Sequence, residues 1–171
     1  SCIDYKVPNY EIKEFIDWKQ EEINLVVKQK DYNNCVWKVN KSGKAKAKII
    51  GGNLSSILTI VGTEYLPIEI FDNKILFLED VNISIGEFDS FMQALRMRGI
   101  FKNIKGLIIG KFVEDNNNII INDFLNEFFK EEKFPILYNV DLGHTNPKIT
   151  IPVGGIAEIE CGENIRFRVE F

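Results

Sequence analysis

One histidine, one pair of adjacent acids and one asparagine on a glycine turn are the residues of this chain placed to do acid–base chemistry. His144 is the only histidine among 171 residues. It sits in Leu142-Gly143-His144-Thr145-Asn146-Pro147, with Asp141 just upstream and the apolar run Ile149-Thr150-Ile151-Pro152-Val153 after it. Glycine before and Thr-Asn-Pro after put this histidine on a loop between strands rather than on an apolar helix face. A loop held by two strands is a common place for a catalytic side chain, and imidazole is the group that gains and loses a proton near neutral pH. The plainer reading is a hydrogen-bonded loop histidine with no chemical role. Glu79-Asp80 directly follow the apolar run Ile75-Leu76-Phe77-Leu78. A carboxylate at the carboxyl end of a central strand is well placed for a site in an α/β sheet; the alternative is a solvated strand end or a helix cap. Asn53 closes Gly51-Gly52-Asn53, where glycine lets the backbone approach a ligand or simply makes a tight turn.

A carboxylate, a histidine and a polar amide are two thirds of a nucleophilic triad plus a binding group. In such a triad the carboxylate orients the imidazole, and the imidazole deprotonates a hydroxyl. The hydroxyl is what the chain does not offer convincingly. No Ser lies in a Gly-x-Ser-x-Gly elbow, the strained turn that exposes a nucleophile. Ser55 and Ser56 fall inside the helical pattern after Asn53, Ser42 in a turn, and Ser84 and Ser90 beside a helix start.

These residues must be positioned by strands and helices that the apolar pattern outlines. Residues 1–33 are polar and mixed and read as a connecting or irregular edge segment, with a short helix suggested by Ile12, Phe15 and Ile16. After the Asn33-Asn34 turn, Cys35–Val39 and Lys44–Ile50 alternate as strands around Asn40-Lys41-Ser42-Gly43, and read as a hairpin. Leu54, Ile57, Leu58 and Val61 recur at helical spacing until Gly62. Ile75–Leu78, Gly106–Gly110 and Pro135–Val140 are continuous apolar runs, the mark of strands covered on both faces. Between them, Glu87–Arg98 is an amphipathic helix with Phe88, Phe91, Met92 and Leu95 on one face. Glu114–Asn118 reads as a polar loop and Asp123–Glu132 as a second amphipathic helix. Gly155–Glu160 and Ile165–Phe171 are antiparallel candidates joined by Cys161-Gly162-Glu163-Asn164. The fold class is α/β: a mixed sheet, or two small sheets, with helices packed on it.

Composition narrows the partners. The length suits one domain with a sizeable core. A net charge of −4 and a pI of about 5.2 give no electrostatic case for nucleic acid or an anionic membrane. No apolar run reaches the roughly 18 residues needed to span a bilayer, and no basic-then-apolar segment opens the chain. Cys2, Cys35 and Cys161 are scattered, an odd number that fits a reducing compartment better than a disulfide framework. They form no zinc set with the single histidine, so neither metal nor cofactor is expected.

In order along the chain, Gly51-Gly52-Asn53-Leu54, Gly62-Thr63, Ile75-Leu76-Phe77-Leu78-Glu79-Asp80, Gly106-Leu107-Ile108-Ile109-Gly110-Lys111-Phe112, and Gly143-His144-Thr145-Asn146-Pro147 with Ile151-Pro152-Val153-Gly154 resemble the C-terminal half of the LD-carboxypeptidase (muramoyltetrapeptide carboxypeptidase) family of serine peptidases. The His-Thr-x-Pro form and the Trp18-Lys19 to Asn24 segment look closer to the family's microcin C resistance, MccF-like branch, which cleaves aminoacyl-nucleotide conjugates. The likeness runs from about Asp17 onward, making 34–171 the family's C-terminal domain and 1–33 a linker or edge. It implies a swivelling β/β/α-type domain and a catalytic Ser-Glu-His triad with Glu79 as the carboxylate that holds the imidazole and His144 as the base. Asn53, with Gly52 beside it, would bind substrate near the scissile bond. The nucleophilic Ser would come from a separate N-terminal domain outside this sequence, so the chain alone is expected to be inactive. The resemblance further implies a cytoplasmic homodimer acting on an LD-linked muropeptide or an aminoacyl-nucleotide. The missing Ser keeps open a second reading, a non-catalytic ligand-binding or dimerisation module of the same fold.

Overall fold

The computed structural model describes residues 1–12, 30–31, 36–111 and 118–171. The placed strands are β1 (Cys2–Tyr5), β2 (Glu11–Ile12), β3 (Lys30–Asp31), β4 (Lys38–Lys41), β5 (Gly43–Asn53), β6 (Ile75–Glu79), β7 (Gly106–Gly110), β8 (Ile136–Val140), β9 (Ile156–Cys161) and β10 (Arg166–Glu170). The helices are α1 (Leu54–Ile60), α2 (Ile85–Met97) and α3 (Asn118–Phe128), with a 3-10 turn at Ile68–Phe71. Beyond β2, the helix expected from Glu11 lies outside the described residues. So do the Asn33-Asn34 turn, Cys35, the Trp18-Lys19 to Asn24 segment and most of the Glu114–Asn118 loop.

Eight strands hydrogen-bond in the order β1-β10-β9-β5-β6-β7-β8-β4, and β2 pairs with β3 apart from them. The sheet is mixed. β5, β6, β7 and β8 run parallel in chain order, β4 lies antiparallel on β8, and β9, β10 and β1 extend the other side antiparallel. β5 belongs to both parts: Gly43–Lys48 pairs with β9, and Ile49–Asn53 pairs with β6. The two parts then fold face to face. A Cβ on Gly106 of β7 would lie 2.9 Å from Ile159 Cδ1 of β9 and 3.4 Å from Ala45 Cβ of β5, so glycine there sets the spacing of the two layers.

The result is three layers around two cores, as strand periodicity requires. In β6, Ile75 and Phe77 pack towards the antiparallel strands with Ile108, Leu137, Ile159, Phe167 and Val169. Leu76 and Leu78 pack towards the helices with Leu54, Phe88, Met92, Leu95 and Leu125. Successive side chains leave opposite faces of a strand, so a strand covered on both sides is almost wholly apolar, with Glu79 at the end of β6 and Asn139 in β8 as the buried polar exceptions. The three central runs are therefore buried along their whole length. This is the β/β/α arrangement.

Two sequence expectations are corrected. Cys35–Val39 and Lys44–Ile50 do not form a hairpin. β4 pairs with β8, and β5 pairs with β9 and β6. Only Ser42 separates β4 from β5, and the face-to-face stacking of the two sheet parts lets so short a link join different layers. The helix expected at Asp123–Glu132 begins at Asn118 and ends at Phe128. Cations from elsewhere meet its end: Arg96 donates to the carbonyl of Phe128 while lying over the Phe128 ring, and Lys41 Nζ donates to the carbonyls of Phe129 and Glu132 just beyond. Such donors end a helix by satisfying its orphan acceptors. At α2, Ser84 accepts from the Glu87 N–H and the Glu87 carboxylate accepts from the Ser84 N–H, a reciprocal cap.

Gly51 is the tightest backbone position in β5. Its φ is +152°, and a Cβ there would fall 1.8 Å from the Phe77 carbonyl oxygen of the neighbouring strand. A Cβ on Gly52 would meet nothing within 4 Å. Gly51→Ala should therefore lower the unfolding free energy by roughly 2–3 kcal/mol through strain and overpacking, and Gly52→Ala by about 0.5 kcal/mol or less. Urea melts of the two variants check the contrast.

Candidate active site

Because β5 to β8 run parallel, their carboxyl ends lie along one edge, and each delivers a polar residue there. β5 ends at Asn53, β6 at Glu79 with Asp80 next, β7 at Gly110 with Lys111 next, and β8 at Val140 with Asp141 next. Asn53 and Glu79 are direct register partners, as are Gly110 and Val140. The loop after β8 then carries His144. The carboxyl edge of parallel strands is where open α/β sheets bind ligands.

Alternation along β6 sends the two adjacent acids to opposite faces. Asp80 turns towards the helices and caps α1. Its carboxylate accepts from the Ser55 N–H at 2.9 Å, the Val81 N–H at 2.8 Å and Asn53 Nδ2 at 3.0 Å. Glu79 turns the other way, and its Oε2 lies 2.8 Å from Nδ1 of His144. Glu79 is only 7% exposed and Asp80 only 3%, so neither is a solvated strand end. His144 is half-buried, with 39% of its side chain exposed.

The Glu79 carboxylate fits because two glycines leave it room. A Cβ on Gly110 would lie 2.9 Å from Glu79 Cβ. A Cβ on Gly143 would lie 1.9 Å from Glu79 Oε2 and 2.1 Å from Glu79 Cδ. Gly143 also has a φ of +70°, a left-handed conformation that glycine adopts at least cost. The residue before His144 thus lies directly over the carboxylate that meets the imidazole. With Nδ1–H donated to Glu79, Nε2 becomes the basic nitrogen, the tautomer that a general base needs.

Asn53 is the N-cap of α1. Its Oδ1 accepts from the Ser56 N–H at 3.0 Å and from the Ser55 and Ser56 hydroxyls at 2.8 Å each. Both serines are thereby engaged in the cap, in keeping with their place inside the helix. Gly52, beside Asn53, faces open space. The structure therefore brings Glu79 and His144 together directly, and places Asn53 on the strand next to Glu79, tied to Asp80.

The sequence marks Asp141 only as a neighbour of His144 and Lys111 only as part of the Gly106–Phe112 motif, and it gives Trp37 no role beyond its strand. The Asp141 side chain is fully buried. Its Oδ1 lies 2.6 Å from Lys111 Nζ and its Oδ2 accepts from Trp37 Nε1 at 2.7 Å. A signal existed for the first pair: each charge directly follows a buried, largely apolar strand, and neighbouring parallel strands bring such positions side by side. Nothing in the sequence marked Trp37. Among the described residues, no group of His, Cys, Asp and Glu is arranged to hold a metal ion.

The sequence profile of the LD-carboxypeptidase C-terminal domain matches residues 46–159, well over half of the chain. The chain belongs to that family. It is 32% identical over 153 residues to the microcin C7 self-immunity protein MccF of Escherichia coli, an alignment covering 88% of this chain and 43% of MccF. The fold superposes on MccF in complex with glutamyl sulfamoyl guanosine with a TM-score of 0.82 and 28% identity, covering 99% of this chain and 50% of that one. It also superposes on an MccF-like protein from Bacillus anthracis with a TM-score of 0.81 and 26% identity, covering 98% of this chain and 51% of that one. The chain thus sits with the MccF-like branch and spans less than half the length of the curated relatives it matches.

The glycine at 143 is testable apart from any activity. Gly143→Ala must displace either the loop or the Glu79 carboxylate. It should cost roughly 1–3 kcal/mol of stability, and a crystal structure of the variant should show the Nδ1–Oε2 contact lengthened beyond hydrogen-bonding distance. A variant as stable as the parent with that contact intact would remove Gly143 from the account of the site.

Proposed function

We infer that the intact protein is a serine-type hydrolase of peptide-like amides and that this chain supplies its acid–base half. One observation carries the reading: a buried carboxylate, Glu79, holds Nδ1 of the only histidine at 2.8 Å, at the carboxyl edge of the parallel strands. Membership of the LD-carboxypeptidase family supports the reaction class. The nucleophilic Ser would come from an N-terminal domain outside this sequence.

In this reading the Ser oxygen attacks the amide carbonyl while His144 Nε2 takes its proton. The imidazolium that forms is stabilised by Glu79 through Nδ1–H. His144 then protonates the leaving amine, and an acyl-enzyme remains. Water, deprotonated by the same nitrogen, releases the acid and restores the Ser. Asn53 and the open space over Gly52 would receive the substrate near the scissile bond. Nδ2 of Asn53 has two hydrogens and gives one to Asp80, so the second is the one available to a ligand.

For substrate we favour an aminoacyl-nucleotide conjugate, with an LD-linked muropeptide second. The support is the chain's likeness to MccF, a protein solved with an aminoacyl sulfamoyl nucleoside bound. The family resemblance also supports a cytoplasmic homodimer, with 34–171 as the domain unit and 1–33 as its linker or edge.

The test uses the protein from the full reading frame. Glu79→Gln and His144→Ala should each lower kcat by roughly two to four orders of magnitude with KM little changed, since both act on the developing charge rather than on binding. Turnover is followed on an aminoacyl sulfamoyl adenosine and, separately, by release of terminal D-alanine from an LD-tetrapeptide. Unchanged turnover in Glu79→Gln would sink the triad assignment. An inert parent on both substrates would favour the non-catalytic module.

A further inference from the structure

We propose that the buried cluster Lys111–Asp141–Trp37 is a positioning device that fixes the His144 loop against Glu79. The proposal rests on the acid–base role assigned to His144, but it can be read without turnover.

The loop is pinned at its two ends and braced between them. The Ile149 N–H donates to the Asp141 carbonyl at 2.8 Å, closing a ring of residues around His144. Within that ring, Thr145 Oγ1 donates to the Pro147 carbonyl at 3.0 Å, and Thr145 is itself buried. What keys the ring to the sheet is the Asp141 side chain, at 0% exposure. One oxygen meets Lys111 Nζ, from the end of β7, at 2.6 Å. The other accepts from Trp37 Nε1, just before β4, at 2.7 Å. The Lys111 N–H also donates to the Val140 carbonyl at 2.9 Å. Asp141 is thus held from both neighbours of β8, three residues before His144.

Lys111 follows Gly110, which packs so closely that a Cβ there would lie 2.9 Å from Glu79 Cβ and 3.2 Å from Leu142 Cβ. A shift of the β7 end relative to the loop would therefore move both members of the Glu79–His144 pair. The side-chain contacts of the cluster run through Asp141, to Lys111 on one oxygen and to Trp37 on the other. Stability alone does not account for the cluster. Burying two charges costs more solvation than an apolar pair of similar volume, and replacing such pairs by apolar side chains is often neutral for folding. A fixed direction between β7 and the loop is what a charge-assisted contact adds and an apolar contact does not.

Two kinds of variant separate positioning from mere stability. Asp141→Asn keeps size but removes the charge. The triple replacement Lys111→Met, Asp141→Leu, Trp37→Phe removes every polar member together, and it covers the case in which the single variant does not fold. The readout is the downfield Nδ1–H proton resonance of His144, assignable because the chain has one histidine. It should be present in the parent and absent in Glu79→Gln. In whichever variant melts cooperatively, that resonance should be lost and kcat of the full-length protein should fall about 10–100-fold with KM within about threefold, the scale expected for a misplacement near 1 Å. Retention of the resonance in a folded variant, with or without a fall in turnover, would overturn the proposal. If Glu79→Gln leaves turnover unchanged while the cluster variants still lose the resonance, the catalytic reading fails and the positioning of the loop stands.

Discussion

A carboxylate 7% exposed has to be met by something, because removing its hydration costs several kcal/mol unless its lone pairs find donors. For Glu79 that partner is the imidazole of His144, and the rest of the carboxyl edge is shaped by bringing the two together. Gly110 gives Glu79 room at its Cβ and Gly143 gives it room at its oxygens. The loop that carries Gly143 also carries His144, so the space for the carboxylate and the group that meets it come from one piece of chain. A side chain at either glycine would displace the contact rather than merely crowd it.

The two-sided central sheet makes this geometry possible. Its strands are covered by helices on one face and by the antiparallel strands on the other, so charged groups are confined to the strand ends, and the one amide inside β8, Asn139, donates to the Val36 carbonyl. Four parallel strands put four such ends together, and the period of two distributes them. Asp80 goes to the helix layer and ties down the first turn of α1. Glu79 goes to the opposite side, where the loop after β8 passes. Adjacent acids with the same chemistry therefore do unrelated work, and their different partners, backbone N–H groups for one and imidazole for the other, follow from the pleat.

The parts legible in the sequence were those set by local period. Three largely apolar runs appear as three buried parallel strands, the Phe88–Leu95 stripe as a helix, and the last two strands as an antiparallel pair. The parts that were not legible depend on pairing at a distance. β4 and β5 look like a hairpin because a turn signal lies between two alternating runs, yet their partners are β8 and the β9–β6 pair. The start of α3 was hidden because Asn118 reads as loop, and its end was misjudged because Arg96, which meets the Phe128 carbonyl, comes from a remote element. At the site, Glu79 and His144 could be named from strand-end and loop position together with the family resemblance. Their contact could not, because it depends on Gly143 lying over the carboxylate. Lys111 and Asp141 had a faint signal in their shared place after apolar strands; Trp37 had none.

Asn53 shows why the residues of this edge are not equally open to interpretation. Its oxygen is committed to the first turn of α1 through three contacts from Ser55 and Ser56, and its nitrogen to Asp80. Removing that amide withdraws a cap, typically worth about 1 kcal/mol, and at the same time takes from the Asp80 carboxylate one of its three donors. Any loss of activity on changing Asn53 would mix those effects with a lost substrate contact. The Glu79 carboxylate caps no helix: it meets His144 and sits beneath Gly143. A change from Glu to Gln at that position keeps the volume that Gly110 and Gly143 accommodate and alters only what faces the imidazole. The physical separation of the two neighbouring acids, one holding a helix and one holding a histidine, is what allows the chemistry at this edge to be tested without dismantling the fold beneath it.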